Sequence, residues 1–186
     1  SGGVQTGPQT PVAITRQASW TSQYAATAFP NGTVNATYSV AAGTNRVLVV
    51  AVASTRTTAG AVTCSATYGG QALTSAKDDG ASAATWNHSF LFYLKDTPAV
   101  MDGTGRPLAV TCSGGAAYYT WVYAAVYAGV DQTTPIGDAE NYNSATSDTA
   151  VGPFNPTLTV GAGEQAIEIV NLANTTTSTT ARTIGT

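Results

Sequence analysis

Residues 62–77 read VTCSATYGGQALTSAK and carry two adjacent glycines, Gly69 and Gly70. A phosphate-binding loop needs a helix after its glycines, and the following QALTSAK offers no helical pattern. Two glycines instead supply the positive φ angles that a two-residue hairpin turn requires. The stretch therefore predicts a β-hairpin. Its paired positions are Tyr68 with Gln71, Ala66 with Leu73, and Cys64 with Ser75.

The same strand-and-turn pattern continues on both sides of this hairpin. Short runs rich in Val, Thr, Tyr and Ala alternate with Gly, Pro, Asn and Asp, and no stretch shows capped helical periodicity. The pattern predicts an all-β fold, an antiparallel β-sandwich. The predicted strands cover residues 17–25, 34–41, 46–55, 61–68, 71–77, 85–95, 108–113, 118–129, 157–160 and 164–173.

Side-chain alternation predicts which strand faces are buried. Residues 46–55 are apolar on both faces, so we expect this strand to lie centrally in its sheet. In residues 85–95 one face carries His88, Phe90 and Phe92. In residues 118–129 the small face is predicted to join the core, whereas the opposite face is aromatic and needs a cover. The aromatic residues of that face are Tyr119, Trp121, Tyr123 and Tyr127.

Length and composition indicate one domain with an N-terminal extension. The chain has 186 residues, enough for a single sizeable core. Residues 1–17 are weakly patterned and are interpreted as an extended arm, and residues 18–186 as one sandwich domain. Only 9% of the residues are charged while 43% are hydrophobic. A neutral surface rich in hydroxyl and amide groups favours an extracellular or cell-surface protein.

Charge and hydropathy exclude two classes of partner. The seven Lys and Arg residues are scattered singly and the net charge is −3, so no basic face suits nucleic acid. No apolar run approaches the roughly 20 residues that a membrane-spanning helix needs. The opening SGGVQTGPQT lacks the features of a signal peptide, so a secreted form would be the mature one.

The two cysteines, Cys64 and Cys112, occupy the similar contexts VTCSA and VTCSG within predicted strands. One pair with a single histidine in the chain does not make a four-ligand zinc site. A disulfide between two strands is favoured over two buried free thiols.

The sequence points away from catalysis. His88 is the single histidine, it lies in an apolar pattern, and no nucleophile-elbow motif accompanies it. Carboxylates such as Asp78, Asp96, Asp102 and Asp138 occupy turns, where calcium is an alternative to plain solvation, but their spacing matches no calcium loop. We therefore expect a protein that is not an enzyme and that needs no cofactor. A two-carboxylate glycosidase is the third alternative, because its carboxylates need only lie about 5–10 Å apart in space and no spacing in the sequence picks them out.

Two kinds of surface site remain open. The aromatic face could stack on sugar rings, although packing under another element is the favoured interpretation. Four sequons permit N-glycosylation in a secreted protein. They begin at Asn31, Asn35, Asn87 and Asn174.

Four segments together resemble a jelly-roll-like β-sandwich module that is repeated in large bacterial secreted and surface proteins. The segments are NRVLVVAVA, VTCSATYGGQALTSA, FLFYLKDTPA and YAAVYAGVDQTTPIG. The resemblance covers about residues 40–175, and YGGQALT and AGVDQTTPIG are its most specific parts. It implies a jelly-roll-like sandwich, an extracellular location and no catalysis.

The chain departs from that module after residues 164–173, where further strands are expected and NTTTSTTARTIGT follows instead. A missing strand leaves a sheet edge that a neighbouring subunit could fill. The candidate donated strands are residues 12–20 and 179–186. We therefore expect a structural subunit of a homopolymeric surface filament or coat, with a carbohydrate-binding or adhesive module as the alternative.

Overall fold

The computed structural model of the chain describes residues 13–26, 32–56, 60–78, 87–114, 117–139, 158–171 and 179–184. Within these ranges the chain forms twelve β-strands and no helix. The strands are β1 (Thr15–Arg16), β2 (Thr21–Ala26), β3 (Gly32–Ser39), β4 (Val47–Arg56), β5 (Thr63–Tyr68), β6 (Gln71–Ala72), β7 (Thr74–Asp78), β8 (Asn87–Lys95), β9 (Gly105–Ser113), β10 (Ala117–Ala128), β11 (Ala166–Asn171) and β12 (Thr179–Ile184).

Two antiparallel sheets pack face to face, which confirms the predicted all-β sandwich. Sheet I has the order β10-β4-β8-β7, with β1 and β2 both on the outer edge of β10. Sheet II has the order β3-β9-β5-β6. The run β2-β10-β4-β8 therefore faces β3-β9-β5-β6, which is the strand arrangement of a jelly roll.

Strand β4 is the centre of sheet I, as its two apolar faces predicted. It pairs with β10 on one side and with β8 on the other, and all ten of its residues are buried. Its inward positions Leu48, Val50 and Val52 join the core between the sheets. The rest of that core comes from alternate positions of the other strands and from four of the segments that connect them. These residues are Val34, Val40, Val62, Ala66, Tyr68, Leu73, Phe90, Phe92, Val100, Met101, Leu108, Val110, Cys112, Val122, Ala124 and Val126.

A second hydrophobic cluster lies on the other face of sheet I. Its buried members are Val47 and Val49 of β4 with Ala125, Tyr127 and Val130 in and after β10. Ile14, Trp20 and Ile167 pack against these residues, and β11 contacts both β4 and β8. Sheet I is thus covered on both faces at this end of β4, because the N-terminal residues and β11 lie over its outer side.

The Gly-Gly turn is confirmed, with φ of 54° at Gly69 and 80° at Gly70. Tyr68 pairs with Gln71, and the Leu73 N–H donates to the Ala66 carbonyl at 2.9 Å. Glycine suits both positions because other residues rarely adopt positive φ.

Beyond Leu73 the predicted hairpin register is wrong. Leu73 inserts into the core between the sheets, and the chain crosses there from sheet II to sheet I. Ser75 consequently pairs with Phe92 of β8 rather than with Cys64. A second strand prediction also fails, because residues 158–160 have no strand pairing and lie in the approach to the turn before β11.

Candidate functional site

The disulfide predicted from the cysteine contexts is present. Cys64 of β5 and Cys112 of β9 are directly opposite in register, and their Cα atoms lie 4.2 Å apart. The bond links neighbouring strands of sheet II and closes a separation of 48 residues. Beside it, the hydroxyls of Thr63 and Ser113 are 2.8 Å apart. This pair therefore fixes the register of β5 on β9 and belongs to the fold.

Arg46, immediately before β4, anchors the end of the sandwich that contains the Gly-Gly turn. Its side chain is 1% exposed and pairs with Asp96, with 2.6 Å between Nη2 and Oδ1. Its Nη1 also donates to the carbonyl oxygens of Ala41 and Met101. The buried charge is therefore balanced by a carboxylate and its donors are met by acceptors, as burial of an ion demands.

The DQTTP segment completes this anchor. Gln132 accepts a hydrogen bond from the Asp96 N–H at 2.8 Å and donates to the Arg46 carbonyl at 3.2 Å. Asp131 accepts from the Thr133 N–H at 2.7 Å, a short turn that follows β10. Gln132 thus ties the segment after β10 to the start of β4 and the end of β8. Its side chain has a structural task that composition alone did not reveal.

Three aromatic side chains of β10, those of Trp121, Tyr123 and Tyr127, lie on the outer face of sheet I, as their alternation predicted. Tyr127 is buried in the second hydrophobic cluster, whereas Trp121 and Tyr123 are half-buried. Burial raises the pKa of the Tyr123 hydroxyl. Tyr119 belongs to β10, where its backbone pairs with Thr55. The row is divided, with one aromatic ring packed away and two in an intermediate environment.

The carboxylates that were candidates for calcium are dispersed. Asp96 pairs with Arg46, and Asp102 pairs with Arg106 at 2.6 Å. Asp138 accepts hydrogen bonds from the backbone N–H groups of Ala139 and Thr159. In the described ranges no group of three or more His, Cys, Asp or Glu side chains is placed to hold a metal ion.

The sequon asparagines occupy different environments. Asn35 is exposed on β3, on the outer face of sheet II. Asn87 is partly buried at the start of β8, and its Oδ1 accepts a hydrogen bond from the Thr55 hydroxyl at 2.9 Å. Asn31 and Asn174 lie outside the described residues. Asn35 is the more accessible acceptor of the two that the structure describes.

The end of the sandwich opposite Arg46 has a polar interior that the sequence analysis missed. The inward positions of β4 continue from Val52 to Ser54 and Arg56, and both are buried. Ser54 is in register with His88 of β8 and with Thr120 of β10, which are also fully buried. We call these four residues, Ser54, Arg56, His88 and Thr120, the polar end.

Among the residues that the structure describes, Arg56 has no hydrogen-bond partner for any of its three guanidinium nitrogens. Burial lowers the pKa of this guanidinium. A signal was present in the sequence, since Arg56 shares the alternation phase of Leu48, Val50 and Val52. A charged residue at an inward-facing position of a buried strand costs free energy unless its charge is compensated.

The part of the chain that the structure describes contains no helix with the length and hydropathy that a membrane crossing requires. Comparisons with protein-family models, with curated proteins and with solved structures found no match to this chain.

Proposed function

We propose that the protein is a non-enzymatic structural subunit of an extracellular assembly, a surface filament or coat, whose copies associate by exchanging a strand. The observation that carries the proposal is the way residues 13–26, here named the N-terminal segment, complete sheet I. The segment supplies β1 and β2 to the edge of β10 and adds Ile14 and Trp20 to the second hydrophobic cluster.

The contacts of the N-terminal segment are of the kind that strand exchange reproduces between copies. The Gln17 N–H donates to the Val126 carbonyl at 2.8 Å, and Gln165 donates to the Ile14 carbonyl at 2.9 Å. Together with the strand pairing, the Gln17 bond satisfies the outer edge of β10, which would otherwise be an unpaired template. The Gln165 bond instead ties Ile14 to the residues just before β11. The segment precedes β3 of sheet II along the chain, and the same pairing made to β10 of a neighbouring copy would join the two chains.

Exchange of this segment from each copy to the next makes a heterologous contact that repeats. Such a contact does not close on itself unless the rotation allows a ring, and it therefore generates a filament. The other candidate for a donated strand, residues 179–186, includes β12, which pairs with β11 along all six of its residues. We favour the N-terminal segment because it also provides apolar side chains to a shared cluster.

An extracellular location is consistent with three features. A disulfide is typical of oxidising compartments, and Cys64 and Cys112 form one here. Charged residues are sparse, and hydroxyls line the outer face of sheet II, where Thr33 and Thr111 lie 2.7 Å apart.

Non-catalytic function is supported by His88, the single histidine, which is fully buried in the sandwich interior.

Engineered disulfides in the full chain test the exchange. Thr15 and Ala128 are register partners between β1 and β10, so the double variant Thr15→Cys/Ala128→Cys places two thiols opposite each other. Exchange predicts a ladder of covalent multimers on a non-reducing gel after mild oxidation. Bridges confined to single chains would contradict the proposal.

The matched control is Asn35→Cys/Ala109→Cys, a register pair between the neighbouring strands β3 and β9 of sheet II. Because neither strand belongs to the N-terminal segment, this pair should bridge within one chain under the same conditions. Multimers in both variants would indicate random collision of thiols, which also counts against specific exchange.

A carbohydrate-binding or adhesive module is the second candidate function. It is favoured by Trp121 and Tyr123, which occupy alternate positions on one face of β10 and are only half-buried. Aromatic rings in this arrangement stack on sugars. Binding to a glycan array that is lost in Trp121→Ala would support it. An array without signal for the wild type, or equal binding by the variant, would reject it.

A further inference from the structure

The inner face of sheet I changes character along β4. Leu48, Val50 and Val52 pack in the hydrophobic core, and the next two inward positions are Ser54 and Arg56. Their neighbours at the same level on β8 and β10 are polar as well, since Ser54 is opposite His88 and Thr120. Four buried polar side chains at one end of a sandwich are more than strand packing requires.

Arg56 is the least compensated member of this group. The residue is 1% exposed, and in the described part of the chain none of its three guanidinium nitrogens has a hydrogen-bond partner. A guanidinium keeps its proton in proteins, so the side chain cannot escape the cost of burial by becoming neutral. A buried cation is normally paired, and leaving one unpaired costs several kcal/mol.

The hydroxyl groups of the polar end are suited to binding an oxygen-rich anion. The hydroxyls of Ser54 and Thr120 are 3.2 Å apart in the interior, and hydroxyl protons rotate to meet an acceptor. Next to Arg56, β10 changes register between Ala117 and Tyr119, a bulge of the kind that re-aims side chains beside binding sites. Arg56 is also the last residue of β4, at the end of the sandwich opposite Arg46.

We propose that the polar end is a binding site for a small oxyanion, with a carboxylate group as the preferred ligand. The planar fork of Arg56 matches the two oxygens of a carboxylate and would hold them by two parallel N–H···O bonds. With Ser54 donating to Thr120, the Thr120 hydroxyl would supply one further donor. This site is independent of strand exchange, because none of its four residues belongs to the N-terminal segment.

Thermal unfolding of the full chain tests the site, with acetate, sulfate and phosphate as probes against chloride at fixed pH and ionic strength. A ligand that binds only the folded state raises the midpoint in a saturable way. The rise should be roughly 5–10 °C at a hundredfold excess over the dissociation constant. Acetate should act at the lowest concentration if the fork sets the preference.

Three variants give the result its meaning. Arg56→Met should lose the saturable response, and Arg56→Lys should weaken it because an ammonium lacks the planar fork. Arg106→Met removes an arginine at the far end of the sandwich and should respond as the wild type does. The ligand effect in the wild type and in Arg106→Met remains a test even if Arg56→Met does not fold.

Two outcomes would overturn the proposal. One is a wild type whose unfolding midpoint is the same in every oxyanion as in chloride. The other is an increase of equal size in Arg56→Met, because excluded salts such as sulfate stabilise any folded protein without a site.

Discussion

Arg46 and Arg56 stand at opposite ends of the central strand β4, on its inward side, and each is 1% exposed. Arg46 is held by Asp96 and by two backbone carbonyls, whereas the guanidinium of Arg56 has no hydrogen-bond partner within the ranges that the structure describes. The same residue type at the same depth thus has a stabilising role at one end and an uncompensated charge at the other.

This contrast predicts mutations of opposite effect. Arg46→Met leaves Asp96 as a partly buried carboxylate without its cation, so the free energy of unfolding should fall by about 3–5 kcal/mol. Arg56→Met removes an unpaired buried charge, so in chloride buffer it should leave stability unchanged or raise it. Urea unfolding of the two variants measures both effects. A loss of similar size in each would contradict the account of Arg56.

The Gly-Gly turn offers a matched pair of alanine variants. A Cβ at Gly69 would lie 2.8 Å from Val100 Cγ1, whereas a Cβ at Gly70 would meet nothing within 4 Å. Both positions have positive φ, so each substitution carries the backbone cost of roughly 1 kcal/mol. Gly69→Ala should therefore lose about 1–3 kcal/mol more than Gly70→Ala, because it also forces a steric shift. Equal losses by chemical denaturation would show that Val100 adjusts without cost.

Reduction of the Cys64–Cys112 bond should destabilise the sandwich without changing its fold. Opening a loop of 48 residues restores entropy to the unfolded chain worth about 4 kcal/mol. Unfolding curves with and without reductant measure the loss, and Cys64→Ala/Cys112→Ala should match the reduced wild type. An unchanged midpoint in reductant, with reduction verified by mass, would refute the prediction.

Acid should lower the stability of the sandwich through Asp102, which lies at the end that contains the Gly-Gly turn. Hydrogen bonds from Arg106 and from the Thr104 N–H lower the pKa of this carboxyl from 3.8 to about 2. A depressed folded-state pKa gives stability that is complete above 3.8 and is lost as the pH falls toward 2. Thermal midpoints measured between pH 5 and about pH 2 should fall less steeply in Asp102→Asn than in the wild type. Parallel curves would mean that this exposed pair has no role in acid unfolding.

Much of the fold could be predicted because its signals are local. Residues 47–53 are apolar in both phases, and this alone predicts that β4 lies centrally, between two neighbouring strands. Gly69 and Gly70 specify their turn because few other residues tolerate the backbone angles. The cysteines repeat one context on two strands, which turned out to be adjacent in sheet II.

What could not be predicted depends on long-range geometry. The run 71–77 looks like one strand, and only the burial of Leu73 between the sheets explains why it divides into β6 and β7. Arg46 and Arg56 look alike in sequence, since each flanks the same apolar run. Pairing of β8 with β4 brings Asp96 next to Arg46 at one end of β4. At the other end, the described residues offer no hydrogen-bond acceptor to Arg56.

Strand exchange between copies is tested most directly by the mass distribution of the untreated protein in solution. Negative-stain electron microscopy of the same sample shows the form of any assembly. The account predicts regular fibres or sheets and a mass that grows with concentration. A compact monomer of 18.8 kDa throughout the concentration range would contradict it. That result would mean that the N-terminal segment completes sheet I of its own chain.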